Sequence, residues 1–440
     1  MKLFYLLVIL VFLNQCSFDN KTGIWKNENN ITNEKNMVFD QFKTFSSTTN
    51  IYNKELTANK NYKFNIPRSI SNNSWSDIFY TKNNNSVNFK YNNSNKLSFK
   101  SKKISRNNIN QFFLFNENKV ITSDVKGNII IFSVNENKTL KFNFYKKKYK
   151  KFNKILNIIV ERNIIYVSDN LGYLYAYDYK KDKVVWAKNF KVPFRSNLKI
   201  FENTLIASNQ INNLYFFDKK TGLLKKTIPT EETILKNDFK NNLSLNKNTL
   251  FFLNTYGSLY SININSYEIN WFINLNQSID INPSNLFFGS QIVNDDRYLA
   301  ISSNLFTYIL DIRTGTILFK KNFSIKIKPI IINNLLFSIS RNNFLISIDL
   351  KSGKEIFSHN IDQLIANFLD TKKKKTDLKN IFIVNNEIFV FLQNSYILKL
   401  GINGKLKKID KLPSKINSHP IFLENSIILI NRQNKVVIID

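Results

Sequence analysis

The sequence predicts an all-β fold, an eight-bladed β-propeller of four-stranded antiparallel blades, and three observations predict it. Ile, Phe, Tyr and Val dominate the apolar runs, aromatics make up 14% of the chain, and Gly and Pro number only 10 and 7. That composition suits strands better than helices. A unit of apolar strand, turn, apolar strand, polar turn and apolar strand also recurs along the chain, as in "GNIIIFSVNENKTLKFN" from Gly127 and "GYLYAYDYKKDKVVW" from Gly172. Further copies start at Asn212, Gly257, Leu305, Asn343, Ser395 and Asn434. Finally, the copies align on Ser133, Asp178, Asp218, Asn263, Asp311, Asp349, Gly401 and Asp440, with spacings of 45, 40, 45, 48, 38, 52 and 39 residues and a mean near 44. A repeat of that length, made of strands and turns, is one propeller blade.

In chain order, residues 1–15 read as a secretory signal. Lys2 precedes an apolar run, residues 3–13, too short to span a bilayer and of the length of a signal core. The sole cysteine, Cys16, follows at once, and "LNQC" resembles a bacterial lipobox, although Gln15 stands where a small residue is usual. That resemblance implies cleavage before Cys16 and a diacylglycerol on its thiol, which accounts for an odd cysteine in an exported chain. Ser17 in the next position implies sorting to the outer membrane. Residues 16–65 have no sustained period and many Asn, Lys, Thr and Ser, and read as a tether.

Residues 66–440 are the predicted propeller. In the second unit the strands are expected at residues 154–160, 163–169, 173–179 and 184–190, each rich in β-branched and aromatic residues and bounded by turn formers. The last copy stops at Asp440 without an outer strand, whereas residues 95–103 ("NKLSFKSKK") look like an outer strand with no blade. Pairing the two closes the ring and removes an exposed edge. Seven blades with one copy packed outside is the alternative.

The formal net charge of +31 invites an anionic partner. Lys and Asn are spread through nearly every loop alongside abundant Ile, the pattern that A+T-rich coding produces. Export removes nucleic acid as a partner. The lysine-rich stretches at residues 145–151 and 371–377 fall between units, at a rim where lipid head groups or acidic partners are within reach.

The unit "GYLYAYD", with a tryptophan eight residues after the aspartate, resembles the pyrroloquinoline-quinone-type propeller repeat, and "DKKTG" at Asp218, "DIRTG" at Asp311 and "DLKSG" at Asp349 supply its characteristic turn. The resemblance puts Trp186, Trp271, Phe319 and Phe357 at the position where a large ring docks one blade on the next. Two families share this repeat: quinone-dependent dehydrogenases, and the BamB family of periplasmic lipoproteins of the outer-membrane β-barrel assembly machinery. Export, a lipidation cysteine and near-minimal copies favour the second. It implies no catalysis, no cofactor, anchorage on the periplasmic face of the outer membrane, and docking on the periplasmic domain of the barrel insertase, with nascent barrel proteins as a further partner. Carried over by position, Phe194 is the apolar anchor, Arg195 the hydrogen-bonding partner and Asp238 the acid, although the family's second acidic position is occupied by Lys240. The alternatives are a quinone-dependent dehydrogenase, or an orphan envelope propeller that binds glycan or unfolded protein. The dehydrogenase reading lacks a cysteine pair for the vicinal disulfide many of those enzymes carry. His359 and His419 stand alone, without metal-ligand spacing.

Overall fold

In the second repeat, Leu156–Glu161, Ile164–Asp169, Tyr173–Asp178 and Lys183–Asn189 form an antiparallel meander, each strand within two residues of its expected bounds. The same sheet recurs eight times in the computed structural model, which describes residues 16–18, 25–27, 52–149, 151–232, 239–276, 287 and 289–440. The chain divides into two units, residues 1–50 and 51–440. In the first, Cys16–Phe18 pairs antiparallel with Trp25–Asn27. The second holds the propeller.

Blade one begins at Leu114–Asn116, blade two at Leu156–Glu161 and blade three at Lys199–Phe201. Blades four to eight begin at Asn242–Asn246, Val293–Asn294, Ile325–Ile332, Leu378–Val384 and Ile421–Leu423. The chain closes the eighth blade as its ends require: Leu97–Lys103 pairs antiparallel with Lys435–Ile439, with Phe99 opposite Ile438. Second and third strands are apolar on both sides because each sheet is covered by the next blade on either face.

Two short-range devices recur in these blades. Asp124, Asp169, Asn209, Asn254 and Asn431 end second strands, and each side-chain oxygen accepts from the N–H groups two and four residues on, forming the turn into the third strand. After third strands, Asp178, Asp218, Asn263 and Asp311 accept instead from the N–H groups two and three residues on. The residues that set the repeat spacing are therefore turn formers.

In blades two to seven the third and fourth strands shift register just before the aligned anchor position, which leaves one extra residue in the outer strand. The next residue of that strand turns its side chain toward the following blade. Trp186 stands there and covers Gly222 of blade three, Trp271 covers Gly315, Phe319 covers Gly353, and Phe357 covers Gly404. All four glycines have positive φ, between 69° and 82°, and a Cβ on any of them would fall less than 3 Å from the ring. The indole N–H groups of Trp186 and Trp271 donate to the carbonyls of Lys219 and Ile312 in the same turns, at 2.9 and 3.2 Å. Where the position is not aromatic, the glycine is gone too: Lys226 faces a turn carrying Tyr267, and Leu140 one carrying Asp182, both at positive φ.

The region just before the closing strand was assigned no element from its sequence, yet residues 72–92 run once around the inner strands. The Asn72 carbonyl accepts from Glu424 of blade eight, Trp75 bridges Phe115 of blade one, and the Ser76 carbonyl accepts from Val160 of blade two. Asp77 meets Lys199 of blade three at 2.6 Å. The Lys82 and Asn83 carbonyls accept from Leu245 and Asn294 of blades four and five. Asn85 exchanges two hydrogen bonds with Ile331 of blade six, and Asn88–Phe89 adds a parallel strand inside blade seven. Asn92 returns to blade eight. Asparagine suits this path, since its amide gives both a donor and an acceptor to the free edge of an inner strand. Residues 52–65, in the tether expected from sequence, lie against blades five to seven: Tyr52 contacts Phe323 and Phe344, Leu56 bridges Ser358, and Phe64 contacts Phe357.

Two predictions follow from this packing. Gly222→Ala adds a left-handed-backbone cost of about 1–2 kcal/mol to displacement of the indole, so it should destabilise the ring by more than the same change made in a Trp186→Leu background, as read by denaturant unfolding. Asp77→Asn keeps the hydrogen bond to the Phe79 N–H while leaving the fully buried Lys199 amine without its carboxylate. It should cost about 3–5 kcal/mol, most of it recovered on adding Lys199→Met.

Candidate functional site

The circling segment meets the inner strands near the ends where they turn into the second strands, so it forms a floor across the central channel. The opposite mouth is built from the connections between blades. Phe194 and Arg195 lie on the connection from blade two to blade three, and Lys240 and Asn241 on the next.

The structure corrects the expectation for Phe194. Its side chain is 1% exposed, with its ring 5.7 Å from that of Phe190 and 6.2 Å from that of Tyr215, in the core between blades two and three. Its N–H donates to the Asp169 carbonyl. A short connection passes over the seam between two sheets, and its apolar side chain fills that seam, leaving nothing for a partner to grip. Arg195, next in sequence, is half-buried and fixed by its backbone: its N–H donates to the Ser208 carbonyl, and its carbonyl accepts from Asn241. Asn241 donates its side-chain amide to Ser208 Oγ and the Asn209 carbonyl, at 2.8 and 2.9 Å, which locks the two connections together. Burial, and then the charge of Arg195, pull the Lys240 ammonium below its usual pKa. Lys240 therefore shares this part of the rim with Arg195. Asp238 lies outside the described residues.

Inside the mouth, above the floor formed by Ile78 and Phe79, are two adjoining cavities of about 280 and 440 Å³. Trp75, Phe112, Phe113 and Phe382 line the smaller one together with Lys326, Lys328 and Lys379. Lys328 donates to the Asn84 carbonyl and Ser86 Oγ, and burial, then the nearby Lys199 charge, lower its pKa to about 7. Lys379 donates to the Asn417 carbonyl and is lowered to about 8 by burial and then by Arg432. His419 stacks on Phe112 at 4.3 Å, its Nδ1 is paired with the Asn380 side chain, and burial takes it down to about 3. His359 stacks on Phe357, 5.5 Å away. Sequence reasoning missed the floor and these lysines; the Asn-dense stretch at residues 71–95 was the available signal.

This donor set does not fit the calcium and quinone of the dehydrogenases that share the repeat. Calcium takes hard, mostly anionic oxygen ligands, and among the described residues neither cavity is lined by Asp or Glu. No group of three or more His, Cys, Asp and Glu able to hold a metal occurs among them.

Comparison with solved structures gives the same architecture at low identity. BamB from Moraxella catarrhalis aligns with a TM-score of 0.60 at 13% identity, covering 78% of this chain and 99% of that one. Quinohemoprotein alcohol dehydrogenase from Comamonas testosteroni aligns at 0.58 and 10% identity, covering 83% and 80%. A computationally designed protein, Ika8, aligns at 0.55 and 11% identity, covering 77% and 99%. No curated protein sequence matches the chain. Residues 145–359 match the family model described as outer membrane protein assembly factor BamB. That match spans just under half of the chain, and the likeness to the solved structures shows the fold, a β-propeller of eight blades.

Proposed function

We propose that the protein is a non-catalytic scaffold lipoprotein of the outer-membrane β-barrel assembly machinery, held on the periplasmic face of the outer membrane through Cys16. Its open rim docks on the periplasmic domain of the insertase, and nascent barrel proteins are a second partner. The observation that carries this reading is the Arg195 and Lys240 cation pair, fixed on locked connections in a chain whose residues 145–359 match the BamB model. Cationic side chains on a rigid rim favour an acidic segment, because a carboxylate forms charge-assisted hydrogen bonds with them. Arginine is the stronger contributor, since its planar fork binds a carboxylate through two N–H groups. Asp238, two residues before Lys240, is proposed to complete the contact. Trp186, Trp271, Phe319 and Phe357 serve the scaffold by docking blade on blade. The dehydrogenase reading has the likeness to quinohemoprotein alcohol dehydrogenase in its favour and the cavity, lined by lysines and by no carboxylate among the described residues, against it.

Pull-down of the insertase periplasmic domain should recover much less with Arg195→Glu than with wild type, while the two proteins keep the same circular dichroism; equal recovery removes this rim from the interface. Metabolic labelling with a palmitate analogue should mark the wild type in a bacterial host and leave Cys16→Ala unlabelled.

A further inference from the structure

We propose that the open face carries a second docking surface, specific for an anionic phospholipid bilayer, on the arc from the connection between blades six and seven, through blade eight, to the connection between blades one and two. Arg195 and Lys240 lie outside this arc, so the proposal stands apart from any insertase contact.

The surface centres on the widest repeat spacing. There the chain forms the helix Ile361–Leu369, capped by the Asn360 side chain accepting from the Gln363 N–H. Its buried side packs on blades six and seven, but its last turn leaves Phe368 and Leu369 48% and 52% exposed. Lys372, Lys373, Lys374 and Lys375 follow at once, all exposed. Both ends of this lysine run are pinned, by the Thr371 N–H donating to the Ala366 carbonyl and the Thr376 N–H donating to Asp362. Asp362 is buried and also accepts from Asn343, so it does not face the run; the exposed acids beside the run are Asp370 and Asp377.

Around the arc the same face exposes Lys415, Arg432, Arg106 and Lys126. The connection from blade one to blade two ends the arc with exposed Lys146, Lys147, Lys148 and Lys151 beside Phe152, which is 56% exposed. Residue 52 also lies here, its carbonyl accepting from Asn342 in the turn between the second and third strands of blade six. Exposed apolar side chains flanked by lysines are the composition of an interfacial membrane contact, in which rings enter the headgroup boundary and ammonium groups meet lipid phosphates. An acidic protein surface would satisfy the lysines and leave Phe152, Phe368 and Leu369 in water.

The test is flotation of the full chain, carrying Cys16→Ala throughout so that no acyl chain contributes, with vesicles of phosphatidylcholine alone and of phosphatidylcholine with phosphatidylglycerol. Partitioning should require phosphatidylglycerol. Changing Lys372, Lys373, Lys374 and Lys375 together to Gln should lower it at least about tenfold. Phe368→Ser with Leu369→Ser should make the remaining binding more sensitive to salt. Changing Lys180, Lys181, Lys183 and Lys220 to Gln removes four charges from the opposite face and should alter partitioning less than about twofold, since the surface potential decays within a Debye length. Equal loss in the two lysine variants would assign the binding to net charge and overturn the proposal, as would indifference to phosphatidylglycerol or no binding at all.

Discussion

Eight sheets arranged around an axis leave eight inner strand edges facing a channel, and the rest of this structure depends on how those edges are satisfied. Backbone N–H and C=O groups turned into a closed space need partners. Here one segment, residues 72–92, supplies them blade by blade in ring order, largely through its own backbone and the amides of Asn84 and Asn85. The closing strand Leu97–Lys103 follows directly after it, so floor and ring closure are one continuous device. Together they join the start of the propeller to its last blade and cover one end of the channel.

Between blades a second interaction fixes spacing. A ring from one blade lies on the glycine of the next, and that glycine is tolerated at positive φ because it has no Cβ to meet the ring. Glycine stands in the turn under Trp186, Trp271, Phe319 and Phe357, whereas Asp182 and Tyr267 stand in the turns faced by Leu140 and Lys226, and Asn137 in the turn faced by Phe99. The rule is steric and local, which is why a repeat of uneven length, from 38 to 52 residues, still yields regular blades.

Periodicity made the blades legible. The turn anchors Asp178, Asp218, Asp311 and Asp349 recur because each caps its turn, and the missing outer strand of the last copy exposed the closing partner by subtraction. The floor was illegible for the opposite reason. Its residues each meet a different blade, so no period exists, and an asparagine bonded to a strand edge reads in sequence like one in solvent. Phe194 was misplaced because a connection carries no alternation to separate an inward ring from an outward one. The helix Ile361–Leu369 escaped notice because its nine residues sit in a chain otherwise made of strand formers. At the candidate site, position alone picked out Arg195 and Lys240, whereas the lysines of the channel became apparent only when distant loops were brought together.

The central claim is that the asparagine-rich segment is part of the closed ring and no loose loop. Hydrogen exchange at the amides of Val160, Leu245 and Asn294 tests it most directly, since these groups donate to the carbonyls of Ser76, Lys82 and Asn83. The account predicts that they exchange as slowly as Ile438 in the closing blade, all opening together with global unfolding. Fast exchange at those three amides, with Ile438 still protected, would contradict it.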